Sequence, residues 1–296
     1  MLNKIIPNKI QIMKIETFFD SLTSTFSYIV IDEETSKCAI IDSVADYDSA
    51  SGKISHDSAV ELINFIEENN LQLEWILETH IHADHLTAAH YLQEKLGGKI
   101  AIGEGIIEVL EYWSKAFNIE EEDLVNGFQF DHIFKDEEIF QIGNLQVKFL
   151  STKGHTPSCG SYLIDNSVFV GDLIFAPNLG TGRTDFPGGS AKEQFASLQK
   201  IFSLPKETKI FSAHDYPKNG EKPNSMSIVE IQKKENIFAK ITNESEYVQF
   251  RKSRDKTLGT PKLLFPSIQI NLRSGNLPKH ENNGARYLKI PLTVNK

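Results

Sequence analysis

A chain of 296 residues, 40% hydrophobic and 24% charged, suits one large globular domain or two modest ones. Two cysteines cannot build a disulfide framework, no apolar run approaches the roughly 18 residues that span a bilayer, and the first residues lack a signal peptide's apolar stretch, so the expected compartment is the cytoplasm. A net charge of −9, from 31 basic and 40 acidic residues, argues against nucleic acid as a partner, and nothing points to a membrane.

Loose alternation in Ile15–Phe19 and Phe26–Ile31, then the apolar run Cys38–Ile41, predicts successive strands. Asp42–Gly52, rich in Asp, Ser and Ala, reads as a loop. Ser55 or Asp57 should cap a helix running to about Glu68, with Val60, Ile63 and Ile66 at helical spacing. A strand at Leu71–Leu77 delivers Thr79-His80-Ile81-His82-Ala83-Asp84-His85, and a helix is expected from His85 to about Leu96, ended by Gly97-Gly98. Lys99–Ile102 reads as a strand and Ile106–Lys115 as a helix. Four strand-like runs follow: Glu138–Ile142, Leu145–Leu150, Ser161–Ile164 and Ser167–Val170. A helix at Ala191–Phe202, a strand at Lys209–Ser212 and helices near Ser225–Asn236 and Glu244–Thr257 complete the body. The tail from Gly259 holds four prolines and reads as an extended covering segment. The order of elements suggests two similar halves face to face, one domain at residues 13–258 with the tail at 259–296 packed on it.

The strongest chemical signal is His80-Ile81-His82-Ala83-Asp84-His85, four metal-capable side chains in six residues just past an apolar strand. In extended backbone residues two apart point the same way, so His80 and His82 can face one ion. Imidazole and carboxylate together suit zinc, iron or manganese rather than calcium. His155, Asp172 and His214 recur downstream at loop positions that follow strands, where a site can be assembled from distant segments. A lone histidine at a strand end is more often structural, which is the reading for His56, His90, His132 and His280. The seven-residue constellation is different because spacing and strand context agree. The Gly-rich run Gly180–Gly189 lacks the Gly-Lys-Ser/Thr ending of a phosphate loop and reads as a substrate-entrance loop carrying Arg183. Cys159 reads as a small buried apolar residue.

These residues resemble the HxHxDH signature of the metallo-β-lactamase superfamily, with His155, Asp172 and His214 matching its later ligand motifs in order. The resemblance implies an α/β fold, an αββα four-layer sandwich with metals at the open edge between two sheets. Gly182-Arg183-Thr184-Asp185-Phe186 resembles the GRTDF segment of persulfide (sulfur) dioxygenases, and His214-Asp215-Tyr216 their HDY segment. Pro266–Asn271 and Arg286–Pro291 are similar to tail motifs of the bacterial branch. The likeness runs from about Met13 to Pro291; the first twelve residues fall outside it, and no rhodanese-like domain follows. It implies a non-haem iron persulfide dioxygenase oxidising glutathione persulfide with O₂ to sulfite and glutathione, in sulfide detoxification. One Fe(II) per chain would be held by His80, His155 and Asp172, the catalytic set. His82, Asp84, His85 and His214 would surround it or hold a second metal, and Arg183 and Tyr216 would contact substrate.

The residues themselves leave two alternatives open. All the ligands of a dinuclear zinc thioester hydrolase of the glyoxalase II type are present, with Asp172 able to bridge two ions. A non-catalytic metal-binding protein is the second; the lack of a closed cysteine site speaks against it. A basic surplus fits an anionic substrate: Lys206–Lys296 carries 17 Lys or Arg against nine Asp or Glu. Solvated helix faces account for the same surplus. A homo-oligomeric state is left open.

Overall fold

Two sheets of six strands each, built from the two halves of the chain, lie face to face with helices on both outer surfaces. The computed structural model describes residues 12–119, 124, 126–218, 221–238 and 241–293. The N-terminal extension, apart from Ile12, lies outside the described residues.

The first sheet begins as an antiparallel meander of β1 (Met13–Asp20), β2 (Thr25–Asp32) and β3 (Lys37–Ile41). β6 (Gln72–Leu77), β7 (Lys99–Gly103) and β8 (His132–Phe134) then add in parallel. Their crossovers carry α1 (Asp57–Glu68), α2 (Ala89–Leu96) and α3 (Ile106–Phe117). The second sheet has the order β14-β13-β12-β11-β10-β9. Its strands are β9 (Ile139–Ile142), β10 (Leu145–Ser151), β11 (Gly160–Ile164), β12 (Ser167–Phe169), β13 (Lys209–Phe211) and β14 (Met226–Ile228). Only β12 and β13 pair in parallel, and α4 (Ala191–Phe202) joins them. α5 (Val229–Glu235), α6 (Glu244–Asp255) and α7 (Leu264–Asn271) follow.

Period-two alternation decides the layers. On β2, Phe26, Tyr28 and Val30 point between the sheets, where they meet Val147, Phe149, Tyr162, Phe169 and Phe211. Ile29 and Ile31 point the other way, onto Leu62, Ile66, Leu92, Leu110 and Ile268 of the helical layer. On the far side Val168, Val170 and Ile210 pack against Leu198, Ile201 and Tyr247. The result is the expected αββα sandwich.

Several local expectations are corrected. Asp42–Gly52 is not all loop: β4 (Asp46–Asp48) pairs with β5 (Lys53–Ser55). Neither Ser55 nor Asp57 caps α1; Asp46 accepts from Ser58 N (3.0 Å) and Ser58 Oγ (2.7 Å) instead. α2 starts at Ala89 rather than His85, because Leu86 O accepts from Ala45 N (2.8 Å) and His90 N, which would return to it in a helix, donates to Ser274 O (3.0 Å). β8 was not expected. Ser225–Asn236 is strand β14 followed by α5, not one helix, and α6 ends at Asp255. The tail is not wholly extended, since α7 lies within it and residues 267–274 are buried.

Candidate metal centre

Five strand ends converge at one edge of the sandwich. β3 leads into Asp42, β6 into the segment Glu78–His85, β10 into His155, β12 into Asp172 and β13 into His214. Parallel pairing sets Ile41 opposite Leu77, so Asp42 and Glu78 leave their strands side by side. An isolated bridge between Thr25 and His214 ties the two sheets together there. His80, His155 and Asp172 form one group whose ligand atoms all lie within 4.8 Å of one another, and His82, Asp84 and His214 form a second. Asp172 stands between them, with Oδ2 3.5 Å from His155 Nε2 and Oδ1 3.4 Å from His214 Nε2. His85 belongs to neither group, although its ring centroid is 4.2 Å from that of His82.

The hydrogen bonds behind these rings fix where each lone pair points. Thr79 Oγ1 donates to Asp42 Oδ2 (2.9 Å), so it accepts from His80 Nδ1 (3.0 Å) and leaves His80 Nε2 unprotonated. His82 Nε2 donates to Asp42 Oδ1 (3.0 Å). Backbone carbonyls accept from the Nδ1 of the other three: Leu86 O for His85 (3.2 Å), Arg183 O for His155 (2.6 Å) and Ser24 O for His214 (3.0 Å). What remains is a set of buried atoms without any hydrogen-bond partner: His80 Nε2, His82 Nδ1, His85 Nε2, His214 Nε2 and Asp172 Oδ1. Buried polar atoms are almost always paired, and imidazole nitrogens with their other N–H anchored are the arrangement of metal ligands. The residues fit a transition-metal ion.

Electrostatics separates the rings. Burial drives His80 well below its ordinary pKa, with His82 and His155 adding to the effect, and burial with His82 takes His85 down to about 3. Burial also disfavours charge on His82, but Asp42 and Glu78 outweigh it and raise that ring well above its usual value. His214 is likewise raised, burial opposing and Asp84 and Asp172 prevailing. Burial works against Asp42, yet His82 and the Thr79 N–H hold it low, whereas for Glu78 burial wins and the carboxyl is raised.

Beside these groups opens a cavity of about 690 Å³, a size typical of small-molecule sites. Its walls include Asp84, His155, Asp172, Arg183 and Tyr216. The Arg183 guanidinium is already engaged, donating to both oxygens of Asp185 (2.6 and 2.8 Å) and to Gly259 O (2.7 Å). Tyr216 lies half exposed, its ring stacked parallel to His214 at a 6.1 Å centroid distance. Arg254 and Lys262 add cationic side chains to the wall. Cys159 is buried and accepts from Thr156 N (3.2 Å), with burial pushing its thiol up to about 12. His56, His90, His132 and His280 stand in neither of these groups, nor in a third that Asp42, Glu78 and His82 form among the described residues.

Sequence reasoning missed three supporting residues. Asp42 orients both His80, through Thr79, and His82 directly, and Glu78 Oε2 lies 3.5 Å from the same His82 nitrogen. Asn271, at the end of α7, donates to His82 O and His85 O (both 2.8 Å) and so pins the ligand loop from the tail. Its segment was noted as a motif, but nothing in the sequence says which loop it meets.

A family model described as the metallo-beta-lactamase superfamily matches residues 21–214, about two thirds of the chain. The protein belongs to that superfamily. It is similar, at 47% identity over 286 residues, to a Dictyostelium discoideum protein named Glyoxylase B2, covering 96% of this chain and 98% of that one. More distantly, it is 27% identical over 261 residues to persulfide dioxygenase ETHE1, mitochondrial, of Bos taurus, covering 87% of each. Among solved structures, that of ETHE1 from Myxococcus xanthus aligns with a TM-score of 0.70 at 26% identity, covering 89% of this chain and all of that one.

Proposed function

We propose that the protein is an iron-dependent persulfide dioxygenase that oxidises glutathione persulfide to sulfite and glutathione. The observation that carries this reading is the separate grouping of His80, His155 and Asp172, with His82 outside it. Two imidazoles and one carboxylate are the donor set of non-haem Fe(II) oxygenases, which keep further coordination positions open. The relative and the solved structure bearing the name ETHE1 support it. Iron held by these three residues would supply the redox chemistry that lets O₂ react with a persulfide. Persulfide, O₂ and water give thiol and sulfite: the terminal sulfur loses four electrons and O₂ takes them up.

The chain's own groups have definite tasks in this scheme. Thr79 Oγ1 and Arg183 O hold the His80 and His155 rings so that their ligand nitrogens stay grouped with Asp172. His214 Nε2, 3.2 Å from Asp84 Oδ2, is placed to hold a proton released from the persulfide, and its raised pKa suits that. Arg254 and Lys262 attract the anionic carrier, Tyr216 offers a ring face, and Arg183, braced by Asp185, shapes the wall.

A second reading is a dinuclear zinc thioester hydrolase of the glyoxalase II type. It is favoured by the second group, His82, Asp84 and His214, by the position of Asp172 between the two groups, and by the name of the 47% identical relative. The experiment that decides is oxygen uptake by anaerobically iron-loaded protein on adding glutathione persulfide, with a His155→Ala control. Stoichiometric O₂ loss with sulfite formation, absent in the control, is the expected result. No uptake with iron bound would overturn the reading, and zinc-loaded protein would then be assayed on a thioester; inactivity in both would leave a non-catalytic metal-binding protein.

A further inference from the structure

Helix α6 carries a buried ion pair that the site's chemistry does not use: Arg251 Nη2 lies 2.7 Å from Asp255 Oδ1, with both residues 3% exposed or less. Charges out of water are costly, and such a pair is weak evidence for stability as such. Its other side-chain hydrogen bonds, among the described residues, go to one short stretch of chain. Arg251 Nη1 donates to Thr181 O (3.0 Å), and Asp255 Oδ2 accepts from both Thr184 N (3.0 Å) and Thr184 Oγ1 (2.9 Å). The guanidinium also lies over the Phe238 ring, 4.8 Å from its centroid, which fixes its plane.

Between those two clamped residues lie the two that touch the metal group. Gly182 N donates to Asp172 O (2.9 Å), and Arg183 O accepts from His155 Nδ1 (2.6 Å). The approach leaves no slack: a Cβ on Gly182 would stand 2.2 Å from Asp172 O and 3.2 Å from His155 Nδ1. Gln194 Nε2 donates to Gly182 O (2.9 Å), and Tyr247 OH, also on α6, donates to Gln194 Oε1 (2.7 Å). The segment is therefore gripped at positions 181, 182 and 184 while its position 183 holds the ring of His155.

We propose that Arg251 and Asp255 form a positioning pair, which holds the Thr181–Thr184 segment so that Arg183 O keeps the His155 ring turned towards Asp172 and His80. The inference rests on the reading of His155 as a metal ligand. It makes α6, far along the chain, part of what sets the geometry of the first group. Arg251 also lines the cavity, but its guanidinium is taken up by Asp255 and Thr181 O; neither residue touches the reacting atoms in this account, and their influence on the metal group travels through one carbonyl.

The test uses the full chain with Asp255→Asn, which keeps the side-chain shape and removes the charge. Because that variant leaves Arg251 buried without its partner, Thr184→Val is made beside it and deletes only the Oγ1 bond. Two quantities are read: hydrogen exchange of the His155 Nδ1 proton in metal-free, ¹⁵N-histidine-labelled protein, and affinity for Fe(II) by competition with a chelator. The expected result is faster Nδ1–H exchange in both variants and a roughly 10–100-fold weaker first ion in Asp255→Asn. Thr184→Val should weaken binding less, and not at all in a His155→Ala background. Unchanged exchange and unchanged affinity, with only a lowered melting temperature, would overturn the proposal and leave the pair a packing feature. If His155→Ala itself leaves iron affinity intact, the ligand reading fails instead, and the exchange rates in metal-free protein still decide whether the pair holds the ring.

Discussion

The two ligand groups sit side by side, yet they are held from behind by different chemistry. In the first, His80 and His155 are anchored by neutral acceptors, a threonine hydroxyl and a backbone carbonyl. In the second, His82 is anchored by the carboxylate of Asp42 with that of Glu78 beside it. Burial holds His80 well below its ordinary pKa, so that ring is neutral and ready to ligate. A carboxylate anchor makes the ring more basic, so that a proton competes with a metal at Nδ1. The expectation is therefore a weaker pH dependence of metal binding at the position lined by His80 than at the one lined by His82.

The sharpest way to break this contrast is Asp42→Ala, because Asp42 lies behind both groups. The change removes the acceptor of Thr79 N, of Thr79 Oγ1 and of His82 Nε2. Loss of one partner of a buried charged pair costs on the order of 3–5 kcal/mol, and loss of a residue that orients ligands lowers metal affinity roughly 10–100-fold. The expected outcome is a much lower melting temperature for metal-free protein together with weakened binding of the first ion, read by calorimetry and by chelator competition. Binding unchanged would mean that Thr79 holds His80 without help.

Glu78 sharpens the contrast with a smaller effect. The raised pKa of His82 means that its Nδ1 is protonated up to a higher pH than an ordinary imidazole, so affinity for a second ion should fall as pH falls and rise through and above neutrality. The first ion, bound by the depressed His80, should show less of this dependence. Glu78→Gln removes one of the two carboxylates that raise His82, and second-ion affinity at neutral pH should increase as the pH dependence moves down. Titration of zinc into wild type and variant across pH checks both statements. Parallel pH profiles for the two ions would remove the distinction between the groups.

How much of this was legible beforehand follows from what is local. The four metal-capable residues between His80 and His85 announce themselves by spacing, and His155, Asp172 and His214 by their place after apolar runs. Asp42 gives no such sign. It opens a stretch rich in Asp and Ser, and its task exists only because β3 pairs in parallel with β6 and brings it against Thr79 and His82. Helix α7 was misread for a different reason. The four prolines of the tail suggest extended chain, but Pro266 is the third helical residue, in the first turn where a missing N–H is harmless. The bracket on α6 was unreadable because an Arg and an Asp four apart are ordinary on a solvated helix; only burial makes them a pair with a task.

The smallest expected effect separates the metal edge from the turn that follows His155. Cys159 is four residues along the chain from a ligand, yet its Sγ accepts from Thr156 N and contacts Thr156 Oγ1 instead of joining either group. Burial raises its pKa from 9.0 to about 12, so the thiolate is absent at neutral pH and the thiol should resist alkylation in the folded protein. The sign is fixed by which state ionises first: the unfolded chain loses this proton near 9 and the folded one near 12. Stability is therefore undiminished below about 9 and declines as pH rises from there towards 12. Cys159→Ala should lessen that alkaline decline while removing the Sγ acceptor of the Thr156 N–H, a change of about 1 kcal/mol, and it should leave metal binding as it was. Melting temperature against pH and one metal titration measure it. A loss of metal binding on this substitution would place sulfur in the metal site and erase the boundary between the ligand edge and the scaffold next to it.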